Sequence, residues 1–284
     1  MQTPHSATGT VAYALRRHWP EYLIEGWALG CFMLSAALCA TLLDYPGSPV
    51  HALIGSAELR RGLAGTAMGL TAIALIYSPW GQRSGAHMNP AVTLTFWRLG
   101  KVARHDALFY IAAQCLGGTI GVLLASRLLG VAFTAPPVRY AITIPGAHGN
   151  AGAFAAELAI SALLMWTVLR VSNSPRHARY TGLCAGILVA LFITVEGPLS
   201  GMSMNPARTL ASALPAHTWT GFWIYVTAPV LAMQAAATFY LYRRGSKAIA
   251  CAKLLHPVTQ RCIHCGHVPD AQRAAAAYLG VRPS

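Results

Sequence analysis

Ser84-Gly85-Ala86-His87-Met88-Asn89-Pro90-Ala91-Val92-Thr93-Leu94 returns 116 residues later as Ser200-Gly201-Met202-Ser203-Met204-Asn205-Pro206-Ala207-Arg208-Thr209-Leu210, with 8 of 11 positions identical. The chain therefore contains an internal duplication. Repeats of this length in an apolar chain mark transporters and channels built from two related halves, with the conducting site where the halves meet. Functional interest falls on the two triplets, Asn89-Pro90-Ala91 and Asn205-Pro206-Ala207.

The surroundings of the repeat are those of a polytopic membrane protein. The 284 residues are 55% hydrophobic and 10% charged, with mean hydropathy +0.47, where soluble domains carry about 25% charged residues. A net charge of +13 invites a nucleic-acid reading, but the basic residues sit in short blocks between apolar runs rather than on one face. They read as topology determinants, and no nucleic-acid partner is expected. Cys31, Cys39, Cys115 and Cys184 fall inside apolar stretches as small packing groups, so no disulfide framework is implied. Arg16 and Arg17 precede an apolar run from Tyr22 to Leu43. That run exceeds the core of about 7 to 15 residues in a signal peptide and reads as a retained first span.

Runs near the crossing length of about 20 residues lie at 22–43, 62–80, 106–126, 151–170, 180–196 and 220–241. Of the 21 Lys and Arg, 16 lie in the N-terminus, the 78–105 and 170–179 connections and the C-terminal tail. The positive-inside rule then places both termini of this multi-pass cell-membrane protein in the cytoplasm. Three spans per half force the second half to enter with opposite polarity. The resulting division is a cytoplasmic N-terminus (1–20), a first half-repeat (21–126), an outer connecting loop (127–150), a second half-repeat (151–242) and a basic cytoplasmic tail (243–284).

Asn followed by Pro reads as a helix N-cap and first helical residue. The stretches Pro90 to Leu99 and Pro206 to Leu214 would each cover roughly half of a hydrocarbon core of about 30 Å. The expected fold is all-α: six transmembrane helices plus two re-entrant half-helices in an inverted repeat. Irregular backbone at midplane depth is tolerated only where it is buried in protein or lines a wet cavity. Two helix N-termini facing each other would repel cations, and the amides of Asn89 and Asn205 could donate to a passing neutral molecule. Arg208, directly after the second triplet, is an intramembrane arginine with donors for a permeant, its alternative being a snorkelling arginine at the headgroups.

Over about residues 20–242 the chain resembles the aquaporin, or major intrinsic protein, family. The likeness is carried by the Ser-Gly-Ala-His-Met-Asn-Pro-Ala-Val-Thr and Asn-Pro-Ala-Arg stretches, Gln114 in the third span, and one glutamate per half, Glu25 and Glu157. It implies a homotetramer in the lipid bilayer, each subunit with its own pore for water and small neutral solutes. It also favours a bracing role for Glu25 and Glu157, against the alternative that each faces an interface near the start of its span. His87 is expected to brace its loop rather than touch the permeant.

The resemblance further implies a four-residue filter. Ungapped counting puts its first member at Gly69, but the family's Gly-Leu-Thr pattern is matched by Gly69-Leu70-Thr71, which favours Met68. The others fall at Ile193, Met202 and Arg208. Water-selective members usually carry His, and glycerol conductors Gly, where Ile193 stands. Thr209 stands where glycerol conductors tend to have Asp. One strong donor among apolar walls admits water, ammonia, urea, hydrogen peroxide or glycerol.

The tail adds Cys262-Ile263-His264-Cys265, with Cys251, His256 and His267 nearby. Short Cys/His spacing of this sort occurs in zinc sites, and Cys251, Cys262, Cys265 and His267 form the candidate set. A single Cys-x-x-Cys without a second pair does not establish a metal, so no cofactor is assigned. Two rival readings stand beside the passive channel: a membrane-anchored redox or metal-handling protein acting through this tail, and an ion-coupled secondary transporter, which would need a carboxylate at mid-depth.

Overall fold

The computed structural model describes residues 10–245, 248–257 and 259–270. The part of the expected N-terminal segment before residue 10 and the end of the expected basic tail, 271–284, lie outside the described residues. Eight helices carry the architecture: α1 (Val11–Asp44), α2 (Ala57–Tyr77), α3 (Pro90–Arg98), α4 (Arg104–Leu129), α5 (Gly149–Ser172), α6 (Thr181–Val195), α7 (Pro206–Ala216) and α8 (Phe222–Arg244). All but α3 and α7 are long and apolar enough to cross a membrane, α6 together with the turn Ala178–Tyr180 before it. The protein is an all-α membrane protein with two short helices folded back among six long ones.

Small residues set the packing. Without water to drive association, membrane helices pack closely where side chains are absent. Gly26 and Gly30 of α1 face Ala113, Gly117 and Gly121 of α4, and a Cβ on Gly117 would collide with the Gly26 backbone. The middle spans cross through Gly69 and Gly186, each with the other's carbonyl where a Cβ would point. Leucines such as Leu116, Leu128 and Leu231 remain exposed on the outside of the bundle, as a surface facing acyl chains requires.

The structure departs from the sequence reading in two places that matter for the site. Helix α1 starts at Val11 rather than near Tyr22, with the Thr10 hydroxyl capping it by accepting from the Tyr13 amide at 3.2 Å. Hydropathy marks only the apolar part of a helix, while a good cap lets it propagate beyond. Glu25 therefore lies about four turns inside the helix and is completely buried, not at an interface. The connection before each triplet also holds a short helix, Pro79–Ser84 and Gly197–Ser200, each ending in a left-handed glycine, Gly85 and Gly201.

A passage between two helix N-termini

Each Asn-Pro-Ala triplet opens a half-helix as its local chemistry dictates. Asn89 caps α3, its Oδ1 accepting from the Ala91 amide at 2.8 Å. Asn205 caps α7 in the same way, accepting from Ala207 at 3.0 Å and Arg208 at 3.2 Å. Pro90 and Pro206 occupy the first turns, where a missing amide hydrogen costs nothing. The two ends are tied across the centre of the molecule. Asn89 Nδ2 donates to the Met204 carbonyl and Asn205 Nδ2 to the Met88 carbonyl, both at 2.7 Å. Each carboxamide has two N–H groups, so one is spent on the opposite loop and one is left over.

Two carboxylates hold the loops that lead into these caps. Glu25 Oε1 accepts from Ser84 Oγ at 2.7 Å and the His87 amide at 3.0 Å; its Oε2 accepts from the Met88 amide at 2.6 Å and Gln114 Nε2 at 2.8 Å. Glu157 repeats the pattern with Ser200 Oγ at 2.8 Å and the Ser203 and Met204 amides at 2.7 Å each. Both side chains are fully buried. Two tyrosines that the sequence reading missed complete the pattern: Tyr110 donates to the Ser84 carbonyl at 2.7 Å and Tyr225 to the Ser200 carbonyl at 2.5 Å. Their signal was available, because they follow Ser84 and Ser200 by 26 and 25 residues in the repeat.

Between the loops runs a cavity of about 360 Å³. Its lining includes Asp44, Pro137 and Ile142, the four residues Met68, Ile193, Met202 and Arg208, both asparagines, and Ala86, His87 and Leu254. Met68 lines it and Gly69 does not; Gly69 is turned into the α2–α6 crossing. Arg208, half-buried, is held on the cavity wall by an Nη1 hydrogen bond to the Ala141 carbonyl at 2.9 Å rather than snorkelling. Glu25, Glu157 and Gln114 do not line the cavity; Gln114 reaches Glu25 and Thr93 instead.

This arrangement has a known counterpart. The family model described as major intrinsic protein matches residues 20–240.

The chain belongs to the major intrinsic protein family.

Among relatives, a probable aquaporin of NIP type from Nicotiana alata is 38% identical over 174 residues, 61% of this chain and 62% of that protein. Aquaporin NIP2-3 of Zea mays is 34% identical over 237 residues, 82% of this chain and 75% of that one. The match thus spans less than two thirds of the Nicotiana relative's length. The X-ray structure of the aquaglyceroporin from Plasmodium falciparum shares the fold with a TM-score of 0.66 at 21% identity, covering 78% of this chain and 95% of that one.

The matched region stops at residue 240, and the tail beyond it does what neither sequence pattern nor family foretold. It folds back over the end of the passage nearest the termini. His87 Nε2 donates to the Ala252 carbonyl at 2.9 Å while its Nδ1 pairs with Thr93 Oγ1 at 3.1 Å, so His87 braces its loop and also receives the tail. The Leu254 amide donates to the Gly85 carbonyl at 3.2 Å, and His264 Nε2 to the Ser84 carbonyl at 3.2 Å. The His264 ring stacks on His87 at 5.8 Å, and its burial pushes its pKa down to about 4. The candidate metal set also changes. Cys251, His256, Cys262 and Cys265 come together, whereas His267 stands outside the set with its ring edge-on to His256 at 5.3 Å. Sequence spacing favoured His267 because it is near Cys265, but the chain turns so that His256 faces the thiols.

Proposed function

We propose that this protein is a passive channel for water and small uncharged solutes such as glycerol, urea, ammonia or hydrogen peroxide, excluding protons and ions. The observation that carries the reading is the cavity that passes between two opposed, asparagine-capped helix N-termini with Arg208 on its wall. Each half-helix end concentrates roughly half a positive charge. Their opposition makes mid-depth hostile to cations, while the spare N–H of Asn89 and of Asn205 offers a neutral guest a donor in place of its hydration shell. A water so oriented donates outward on both sides and cannot relay a proton along the file.

Met68, Ile193, Met202 and Arg208 form the selectivity filter in this reading. Three apolar walls and one guanidinium offer few hydrogen bonds, so size and donor strength decide entry together. The relatives, aquaporins and an aquaglyceroporin, agree with such a range. The two half-repeats, 21–126 and 151–242, each supply one half-helix and one bracing glutamate. The termini face the cytoplasm of the cell membrane by the positive-inside rule, and the subunits assemble as a homotetramer.

An ion-coupled transporter would need an available carboxylate at mid-depth, but Asp44 stands at the last residue of its span beside Arg60, and the oxygens of Glu25 and Glu157 all accept hydrogen bonds from neighbouring side chains and loop amides. The test is stopped-flow light scattering on reconstituted vesicles with water, glycerol and urea. Water should pass in the wild type, and Ile193→His should narrow the solute range toward water. An unchanged solute ranking in that variant would refute the filter assignment.

A further inference from the structure

We propose that Cys251, His256, Cys262 and Cys265 bind one zinc ion, and that this clasp holds the tail from Ile249 to Leu254 as a plug in the mouth of the passage nearest the termini. The clasp stands on its own; the plug rests on the channel reading above.

The four side chains converge on one point, as a closed site requires. One ligand atom from each of the four residues lies within 4.8 Å of all the others. Cys251 Sγ and Cys262 Sγ are 3.5 Å apart, and His256 Nε2 and Cys265 Sγ 3.1 Å. A zinc tetrahedron with Zn–S of about 2.3 Å and Zn–N of about 2.0 Å has edges of roughly 3.4 to 3.8 Å, so the four atoms need only small shifts to surround an ion. A disulfide needs about 2.05 Å between sulfurs, far less than the separation of Cys251 and Cys262. Three thiols and an imidazole suit zinc, and hard cations that prefer oxygen ligands are excluded by the same set. Four protein ligands leave no open position, which marks a structural ion rather than a catalytic one.

The backbone around the pair is shaped to match. Gly266 takes φ of +73° directly after Cys265, and its amide donates to the Cys262 carbonyl at 3.0 Å, while the Cys262 amide donates to the His267 carbonyl at 2.9 Å. The turn folds both thiols toward one point.

The segment also needs such a tie. Beyond Gly245 the described residues form no α-helix of a full turn, yet Ile249, Cys251, Ala252, Lys253, Leu254 and Cys262 are buried. So short an irregular segment cannot offset its ordering entropy with its own core, and metal binding is the usual supplement. Besides the packing of Ile249, Ala252 and Leu254 against the bundle and of the His264 ring against His87 and Tyr110, its anchorage is a handful of hydrogen bonds: to His87, Gly85 and Ser84, from the Ala250 amide to Asn173 Oδ1 at 2.8 Å, and from Arg261 to the Arg17 carbonyl at 3.2 Å. Each is weak by itself, since folding only exchanges it for a bond to water. Leu254 is the point of the plug, the one described tail residue that lines the cavity. Losing the ion would free the segment and open the mouth, giving a channel whose conductance falls as cellular zinc rises.

The test uses the full chain. Purified wild type should carry one zinc per chain, and cobalt substituted for it should give thiolate charge-transfer absorption; Cys262→Ser/Cys265→Ser should lose both. In vesicles, EDTA on wild type should raise water permeability several-fold, as should the double variant or Leu254→Ala. Trypsin should cut after the buried Lys253 only once zinc is removed. Wild type that takes up no zinc on titration, or two thiols missing from the seven in denaturant, would overturn the clasp. Conducting vesicles that ignore EDTA and Leu254→Ala would overturn the plug. Vesicles that never conduct, while the trypsin cut still depends on zinc, would refute the channel reading and uphold the clasp.

Discussion

The two motif loops, 84–94 and 200–210, differ at three positions: Ala86 against Met202, His87 against Ser203, and Val92 against Arg208. All six of these side chains line the cavity. The shared residues, apart from the asparagines, the methionines before them and Gly201, do not; they make the cap, the half-helix turn and the contacts to the bracing glutamate. Duplication has thus preserved the scaffold and released the wall. One loop brings Met202 and Arg208 to the wall. The other became the end that receives the tail, with His87 donating to Ala252. A pseudo-symmetric frame carries an asymmetric passage because most of what holds a loop in place is kept off the wall, only His87, Ser203 and the two asparagines serving both.

Removing either glutamate should have the largest effect and tests whether the two frames are equivalent. Glu25→Ala orphans two buried loop amides, the Ser84 hydroxyl and Gln114, and Glu157→Ala two amides and the Ser200 hydroxyl. At about 1 to 3 kcal/mol per unpaired buried donor, each loss approaches the whole stability of a domain. Neither variant should give a monodisperse peak in size-exclusion chromatography in detergent, while Glu→Gln, which keeps an acceptor oxygen, should recover part of it. A folded Glu157→Ala beside an unfolded Glu25→Ala would show that one half carries the frame alone.

Exchanging a wall residue should act on passage rather than on folding. Arg208→Val places in the second loop what the first has at Val92, removing the charge from the wall. Glycerol flux relative to water should rise about tenfold, equivalent to about 1.4 kcal/mol at the barrier, with a cation leak detectable in the same vesicles. An unchanged ratio would mean that the two half-helix ends, not the arginine, set selectivity.

The division between frame and wall also explains what the sequence made legible. The repeat, the caps at Asn89 and Asn205 and the re-entrant helices follow from Asn-Pro chemistry within reach of an apolar span, and the glutamates are conspicuous because a carboxylate in an apolar run must find donors. Local pattern says less about partners distant along the chain. Tyr110 and Tyr225 look like ordinary aromatic residues until their hydroxyls meet Ser84 and Ser200. The tail reads as a basic extension because its apolar residues, Ile249, Ala252 and Leu254, are too few and scattered to show a period; they are buried only because the half-helix architecture leaves a mouth for them to enter. His256 joins the cysteines for the same reason, by the path of the chain and not by spacing.

The smallest expected effect concerns how the threonine shared by the two repeats serves two different neighbours. Thr93 pairs with His87 Nδ1 at 3.1 Å, and its equivalent Thr209 with Ser203 Oγ at 2.6 Å and Thr143 Oγ1 at 2.9 Å. Ser203 Oγ also accepts from the Asn205 amide at 3.2 Å and reaches the Asn205 carbonyl at 3.0 Å, so the hydroxyl secures the cap from behind. Ser203→Ala leaves that amide without its acceptor but spares Thr209, which keeps Thr143. The cost is one orphaned amide together with the hydroxyl's contacts to the Asn205 carbonyl and to Thr209, about 1 to 3 kcal/mol in all, read as a drop in Tm of about 2 to 12 °C for a chain of this size. His87→Ala should cost more, because the imidazole also holds Ala252 and stacks on Phe96 at 5.3 Å. Equal shifts in Tm would show that the tail contact adds nothing to the stability of the first loop.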